Sequence, residues 1–269
     1  MTSDQDTGAR LRSLYAAEGG PRSVFSAKVA DYAASRPDYP AALFEALRAG
    51  CAPTPGTTVA DIGAGTGLLT QGLLRIGYRV IAVEPNPEMR RASDRLLRGN
   101  DGYSSVDGCA ESIPLAASSV HLITAAQAFH WFEVEQARAE FLRVLTPHGL
   151  VALIWNDRVL GNPVNEALDE VFADFGGANR AALVAHEDRS QVPRFFGSAR
   201  PKEFSWPHGH HLDEEGLLSL VFSRSYIPGR STDAGRKVTD RARGVFERFV
   251  TNGMVKVPYR TVAILGRPM

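Results

Sequence analysis

The chain is poor in cysteine, carries no net charge and contains no long apolar run, and each lack narrows what its 269 residues can be. Two cysteines, Cys51 and Cys109, are too few for a disulfide scaffold and have no C-x-x-C spacing for a metal, so both are expected as reduced thiols, Cys51 in a turn. Thirty basic side chains balance thirty acidic ones. No global field then attracts nucleic acid or an anionic membrane, and the expected partner is a small, locally recognised molecule. No apolar stretch approaches the ~20 residues of a membrane span. The opening Met1-Thr2-Ser3-Asp4-Gln5-Asp6 has neither the basic nor the apolar part of a secretory signal, which predicts a cytoplasmic protein. No internal repeat is evident. A composition of 44% hydrophobic and 22% charged residues suits a soluble globule, either one domain with an insertion or two domains.

What is present is a glycine turn between an acid-tipped strand and a helix: Val59-Ala60-Asp61-Ile62-Gly63-Ala64-Gly65-Thr66-Gly67, followed by a second acid-tipped strand, Val80-Ile81-Ala82-Val83-Glu84-Pro85. The pattern is that of a nucleotide site. A dinucleotide cradle of the G-x-G-x-x-G type needs glycine at position 68, which is Leu, and Asp61 sets a negative charge where a pyrophosphate would approach. A ribose-bearing ligand with a cationic amino-acid tail and no phosphate suits that charge better, and S-adenosyl-L-methionine is such a ligand. Both observations count against a nicotinamide-dependent oxidoreductase.

Strands are predicted near 57–62, 79–84, 102–106, 119–125 and 149–155, with helices near 66–76, 87–98 and 133–145. This alternation calls for an α/β fold, a doubly wound, mostly parallel sheet covered on both faces. Leu150-Val151-Ala152-Leu153-Ile154-Trp155 reads as a strand buried on both sides. Before this unit, residues 1–20 are read as a disordered tail or a loosely docked helix, and apolar spacing between Val24 and Leu47 as two helices joined by a rigid elbow, Arg36-Pro37-Asp38-Tyr39-Pro40. Beyond Asn156 the expectations are a helix at 165–175, mixed loop and strand over 195–211, helices at 214–223 and 233–249, and an alternating strand at 255–265.

Four motifs in order, D-I-G-A-G-T-G, V-E-P-N-P-E-M, G-C-A-E-S-I-P-L and A-A-Q-A-F-H-W-F, resemble the class I S-adenosylmethionine-dependent methyltransferases. Phe25 to Pro40, the S-R-S-Y around Ser225 and V-P-Y-R-T-V near Val257 are similar to the trans-aconitate methyltransferase-like branch. The resemblance implies a seven-stranded, Rossmann-like sheet whose last strand inserts antiparallel beside the fifth, an N-terminal helical lid at 21–50, and a methyltransferase domain at 51–269 with a substrate-covering insertion over about 157–230. It implies methyl transfer to an oxygen (carboxylate or hydroxyl) or nitrogen of a small molecule, with S-adenosyl-L-homocysteine as co-product. A chain that binds the cofactor without transferring methyl, as a regulator or a non-redox cyclase, is the alternative. Nucleic-acid methylation is disfavoured by the zero net charge and the lack of an N-P-P-Y-type motif.

The same resemblance puts Asp61 near the cofactor's amino group, with Gly63 and Gly65 along the ribose and methionine path. An acid at the end of the second strand, Glu84, can accept both ribose hydroxyls. Pro85 and Met89 are expected beside the adenine, although Met89 equally suits helix packing. Related enzymes often have Asp where this chain has Cys109, a poor acceptor, so Ala110 is expected to reach the ring through its backbone, and Glu111 either joins it or caps the following turn. Gln127 and Ala128 are expected at the methionine moiety. Tyr32 and Arg36, one helical turn apart, can share a face, and Arg36 either meets the cofactor carboxylate or caps a helix. For His130 a general base and a structural role are both open, with Trp131 beside it as a substrate contact. Arg224 and Tyr226 either clamp a substrate carboxylate or end a helix. His208, His210 and His211 lie around a Pro-Gly pair without a partnering carboxylate or cysteine, so they are read as a loop above the pocket and no metal is expected.

Overall fold

The computed structural model describes residues 28, 29, 31, 35–52, 54, 56–186 and 189–269. The 1–20 tail, most of the first predicted lid helix and Tyr32 lie outside the described residues. Seven strands form one sheet: β1 (Thr58–Ile62), β2 (Arg79–Val83), β3 (Tyr103–Val106), β4 (Val120–Ala126), β5 (Leu145–Arg158), β6 (Lys202–Leu212) and β7 (Val255–Gly266), in the order β3-β2-β1-β4-β5-β7-β6. The first five are parallel, and β7 inserts antiparallel between β5 and β6. This is the predicted α/β class, with the antiparallel insertion that the family resemblance implied.

Among the described residues the helices are α1 (Ala41–Gly50), α2 (Leu68–Arg75), α3 (Pro87–Leu96), α4 (Val134–Val144), α5 (Pro163–His186), α6 (Val192–Phe196), α7 (Glu214–Phe222) and α8 (Asp233–Phe249). Side chains of β5 alternate between two cores. Val151, Leu153 and Trp155 enter the one roofed by α4 and α6 through Phe141, Phe195 and Phe196; Ala152 and Ile154 enter the other, roofed by α1 and α2 through Phe44, Leu47 and Leu73. Burial on both faces is why the strand reads as a continuous apolar run. A third core joins α5, α7 and α8 to the end of β7 around Phe172, Leu217, Val238 and Tyr259.

Two expectations need correction. The mixed loop and strand expected over 195–211 is there, but it begins inside a short helix, α6, and its strand is a full edge strand, β6, paired with β7 from Lys202↔Leu265 to Leu212↔Val255. His208, His210 and His211 therefore sit in that strand rather than on a loop. Pro207 and Gly209 mask the strand pattern in sequence, yet an edge strand tolerates a proline because its outer N–H need not pair. The helix predicted at 165–175 starts earlier and continues to His186, broken at Gly177, where φ is 53°.

α2 packs against α1 through a glycine, Gly72, whose added Cβ would lie 2.0 Å from Phe44 Cζ. Helix propensity alone favours Gly72→Ala by about 1 kcal/mol. The clash with a buried ring reverses the sign, and Gly72→Ala is expected to lower stability by about 1–3 kcal/mol in chemical denaturation, with recovery in Gly72→Ala/Phe44→Leu.

Candidate functional site

The strand order changes direction between β1 and β4, and a crevice opens at the carboxyl ends of strands at such a switch point. Asp61, near the end of β1, is 1% exposed and accepts hydrogen bonds from Thr70 Oγ1 (2.6 Å) and Thr124 Oγ1 (2.8 Å). Burial raises its carboxyl to about 6, and the two hydroxyls oppose that rise. The backbone then turns through Gly63, where φ is +69° and an added Cβ would lie 2.7 Å from the Ala128 Cβ. The next glycine, Gly65, donates its N–H to Glu84 Oε2 at 2.8 Å.

Glu84 follows β2, is 7% exposed and also accepts from Asn86 N through Oε1 at 2.9 Å. Burial raises its carboxyl against those two N–H groups and the nearby Arg90. Each oxygen thus holds one backbone donor, and a carboxylate oxygen can accept a second. Asn86 caps α3 by accepting from Glu88 N and Met89 N, so the segment carrying Glu84 and Pro85 is tied to a helix start. Met89 (3% exposed) and Ala110 (2%) are core residues. Glu111 Oε1 accepts from Glu133 N at 2.7 Å, a bond to the start of α4 rather than to the turn that follows Glu111.

Gln127 ends β4 with φ +54°, an uncommon conformation for a residue other than glycine. Its N–H donates to Ile154 O, and its Nε2 donates to Asn156 O at 3.1 Å. Asn156 Nδ2 reaches the carbonyls of Pro37 and Asp38, so the elbow predicted at 36–40 is fastened to β5. β4 stops pairing at Ala126↔Ile154, whereas β7 pairs with β5 as far as Arg158↔Tyr259. Asn156, Asp157 and Arg158 consequently run past the parallel sheet into the crevice.

The crevice is a cavity of about 690 Å³. Of the residues singled out in sequence, Arg36, Asp61, Gly63, Gln127, Arg224 and Tyr226 line it. Gly65, Glu84, Pro85, Met89, Ala110, Glu111 and Ala128 are not in its wall, and neither are His130 and Trp131. The His130 and Trp131 rings lie 5.2 Å apart, and Trp131 packs against the first core. Neighbouring Phe129 makes edge contacts with Trp155 and Phe195 inside that core.

Sequence reading missed Trp155, Asp157, Arg158, Asp169, Arg180 and Arg189, all of which line the cavity. Arg158 and Arg180 share Asp169 Oδ1, at 2.5 and 3.3 Å. Arg189 Nη2 meets both oxygens of Asp157, at 2.7 and 2.6 Å, and its guanidinium carbon lies 4.6 Å above the Trp155 ring. Three of these residues close β5, where the charged Asp157-Arg158 pair after an apolar strand was the available signal. Arg180 and Arg189 belong to a stretch with no pattern pointing to the crevice.

Residues 60–153 match the family model described as a methyltransferase domain. The chain is 33% identical to the uncharacterized methyltransferase Rv3342 of Mycobacterium tuberculosis over 89% of this chain and 93% of the relative. The chain belongs to the S-adenosylmethionine-dependent methyltransferases. Another relative, the uncharacterized methyltransferase C25B8.09 of Schizosaccharomyces pombe, is 38% identical over 76% of this chain and 79% of its own. A solved structure from Anaeromyxobacter dehalogenans, assigned there as a type II methyltransferase, superposes with a TM-score of 0.58 at 22% identity over 87% of this chain and 98% of that one, a likeness of fold.

The cofactor of this methyltransferase is S-adenosylmethionine, and the glycine turn fits it: Gly63 lines the cavity beside the buried Asp61, and its lack of a side chain lets the turn pack against Ala128. Among the described residues no helix is long and apolar enough to cross a membrane. Gly63→Ala combines a strained positive φ with a Cβ contact under 3 Å, so it is expected to cost about 1–3 kcal/mol in thermal or chemical unfolding and to weaken S-adenosylhomocysteine binding in calorimetry.

Proposed function

We propose that this methyltransferase moves a methyl group onto an oxygen or nitrogen of a small molecule seated in the cavity that receives the methionine end of the cofactor, while Glu84 and Pro85, beyond the cavity wall, hold the nucleoside. One observation carries the reading: the Asp61-Gly63-Gln127 side of the crevice and the Trp155-to-Arg189 side line one continuous cavity, so donor and acceptor can meet within it. When bound, S-adenosylmethionine supplies a methyl group already activated on a sulfonium.

Asp61 pairs with the cofactor's ammonium group and Arg36 with its carboxylate. Glu84 takes the ribose hydroxyls on the lone pairs that its two backbone donors leave open. Gly63 and Gly65 let the backbone lie against the ligand, and Gln127 with Ala128 closes the methionine side. Pro85 bounds the adenine, Met89 and Ala110 support it from the core, and Glu111 holds the start of α4. Of the segment 21–50 read as a lid, Arg36, Pro37 and Tyr39 line the cavity while Tyr32 lies outside the described residues, and residues 157–230 bound the acceptor half within the domain that spans 51–269. Their shared task is alignment and exclusion of water, which can supply effective molarities of about 10⁵ to 10⁸ M. A carboxylate acceptor needs no base, and His130 lies outside the cavity wall, so the proposal gives it no proton to carry. A small acceptor taken up from solution in a soluble, cytoplasmic setting agrees with the zero net charge.

Asp61 provides a direct test. An ammonium ligand selects the ionised carboxylate, so affinity for S-adenosylhomocysteine should weaken as pH falls through about 6 and level off above 7, with the dependence reduced in Asp61→Asn, as read by calorimetry between pH 5 and 8. A flat profile in the wild-type protein would remove Asp61 from this role. His130→Asn should keep kcat within about twofold, whereas a positioned base contributes about 10² to 10⁴-fold.

A further inference from the structure

We propose that the far half of the cavity is an oxyanion-binding subsite, and that the methyl acceptor carries a carboxylate or phosphate group held there by Arg158, Arg180 and Arg189. The inference rests on the methyltransferase reading of the same cavity and names the acceptor's chemical class.

Charge is the first ground. Among the described residues lining that half, the three guanidinium groups of Arg158, Arg180 and Arg189 are paired with two carboxylates, Asp157 and Asp169. Arg158 and Arg180 converge on a single oxygen of Asp169, which holds two guanidinium groups close together on one negative charge. Like charges so placed repel, and a second anion between them relieves the repulsion.

Hydrogen bonding is the second ground. Among the described residues, Arg158 Nη1, Arg180 Nε and Arg189 Nε are buried and find no hydrogen-bond partner. A buried donor left unmet costs about 1–3 kcal/mol. Three in one wall mark a place where a ligand, rather than the protein, supplies acceptors. The planar guanidinium fork matches the paired oxygens of carboxylate and phosphate alike.

Rigidity is the third. Arg189 lies over Trp155 at 4.6 Å and Arg158 over Phe172 at 5.0 Å, so aromatic faces hold the two side chains in place before any ligand arrives. Asp157 and Asp169 then act as positioning residues: they aim the guanidiniums while leaving donors unused.

The test is calorimetry on the full chain saturated with S-adenosylhomocysteine, titrated with malonate, inorganic phosphate or uncharged malonamide. Expected is binding of malonate, phosphate or both at least about tenfold tighter than malonamide, a loss of about tenfold or more in Arg158→Gln and Arg180→Gln, and partial retention in Arg180→Lys. Stronger binding of malonate assigns a carboxylate acceptor, stronger binding of phosphate a phosphate ester. Thermal melts report whether each variant folds. If the Gln variants do not fold, the anion-over-malonamide preference and its decline with salt in the wild-type protein decide. Malonamide binding as tightly as both anions overturns the inference, and so does wild-type anion affinity in folded Gln variants. Failure of S-adenosylhomocysteine itself to bind sinks the functional reading instead; normal uptake of it with no anion binding sinks only this subsite.

Discussion

A carboxylate buried where two strands diverge is the constraint around which the rest of this molecule is arranged. Asp61 lies 1% exposed between β1 and β4, and burying an acid there is tolerable because Thr70 on α2 and Thr124 on β4 both donate to it. Those two bonds tie the first strand to the helix after the glycine turn and to the strand across the switch point. The turn between them is pinned to the next strand by Gly65 donating to Glu84. Two acids, two hydroxyls and one backbone N–H thus set the spacing of three strand ends, and the absence of a side chain at Gly63 lets the turn lie against Ala128.

The opposite wall of the cavity obeys the inverse electrostatic rule. Around Asp61 acids sit among few described cations, whereas beyond Asn156 arginines outnumber the described carboxylates that hold them. The division follows strand pairing. β5 outlasts its parallel neighbour because β7 continues to pair with it, and the added residues Asn156, Asp157 and Arg158 bring polar groups across the crevice. Asn156 then spans the two walls: its carbonyl accepts from Gln127, its side-chain amide holds the 36–40 elbow, and its Oδ1 accepts from Thr261.

Where one local pattern dominated, the elements were legible from sequence. β1 and β2 carry apolar runs that end at glycine or acid, β4 is largely apolar from Val120 to Ala126, and α8 shows helical spacing from Asp233 to Phe249 that matches the structure. β6 was only partly legible, as mixed loop and strand, because Pro207 and Gly209 interrupt its alternation and its full length comes from eleven residues of pairing with β7. The nucleotide half of the site could be read because its residues cluster within two strand-turn units. Arg180 and Arg189 could not, since their neighbourhood in the cavity is made by a helix broken at Gly177 and a return of the chain toward β5.

Periodicity, acid-tipped strands and glycine spacing by themselves determined an α/β nucleotide-type fold with Asp61 and Glu84 at strand ends, because those features act over a few consecutive residues. Tertiary structure alone decided which histidines lie in a strand, that His130 stands outside the cavity wall, and that arginines from three separate segments face one cavity. The physical reason is that local sequence dictates dihedral preference and burial pattern, while charges far apart in the chain become neighbours only when a sheet and its cores bring their segments together.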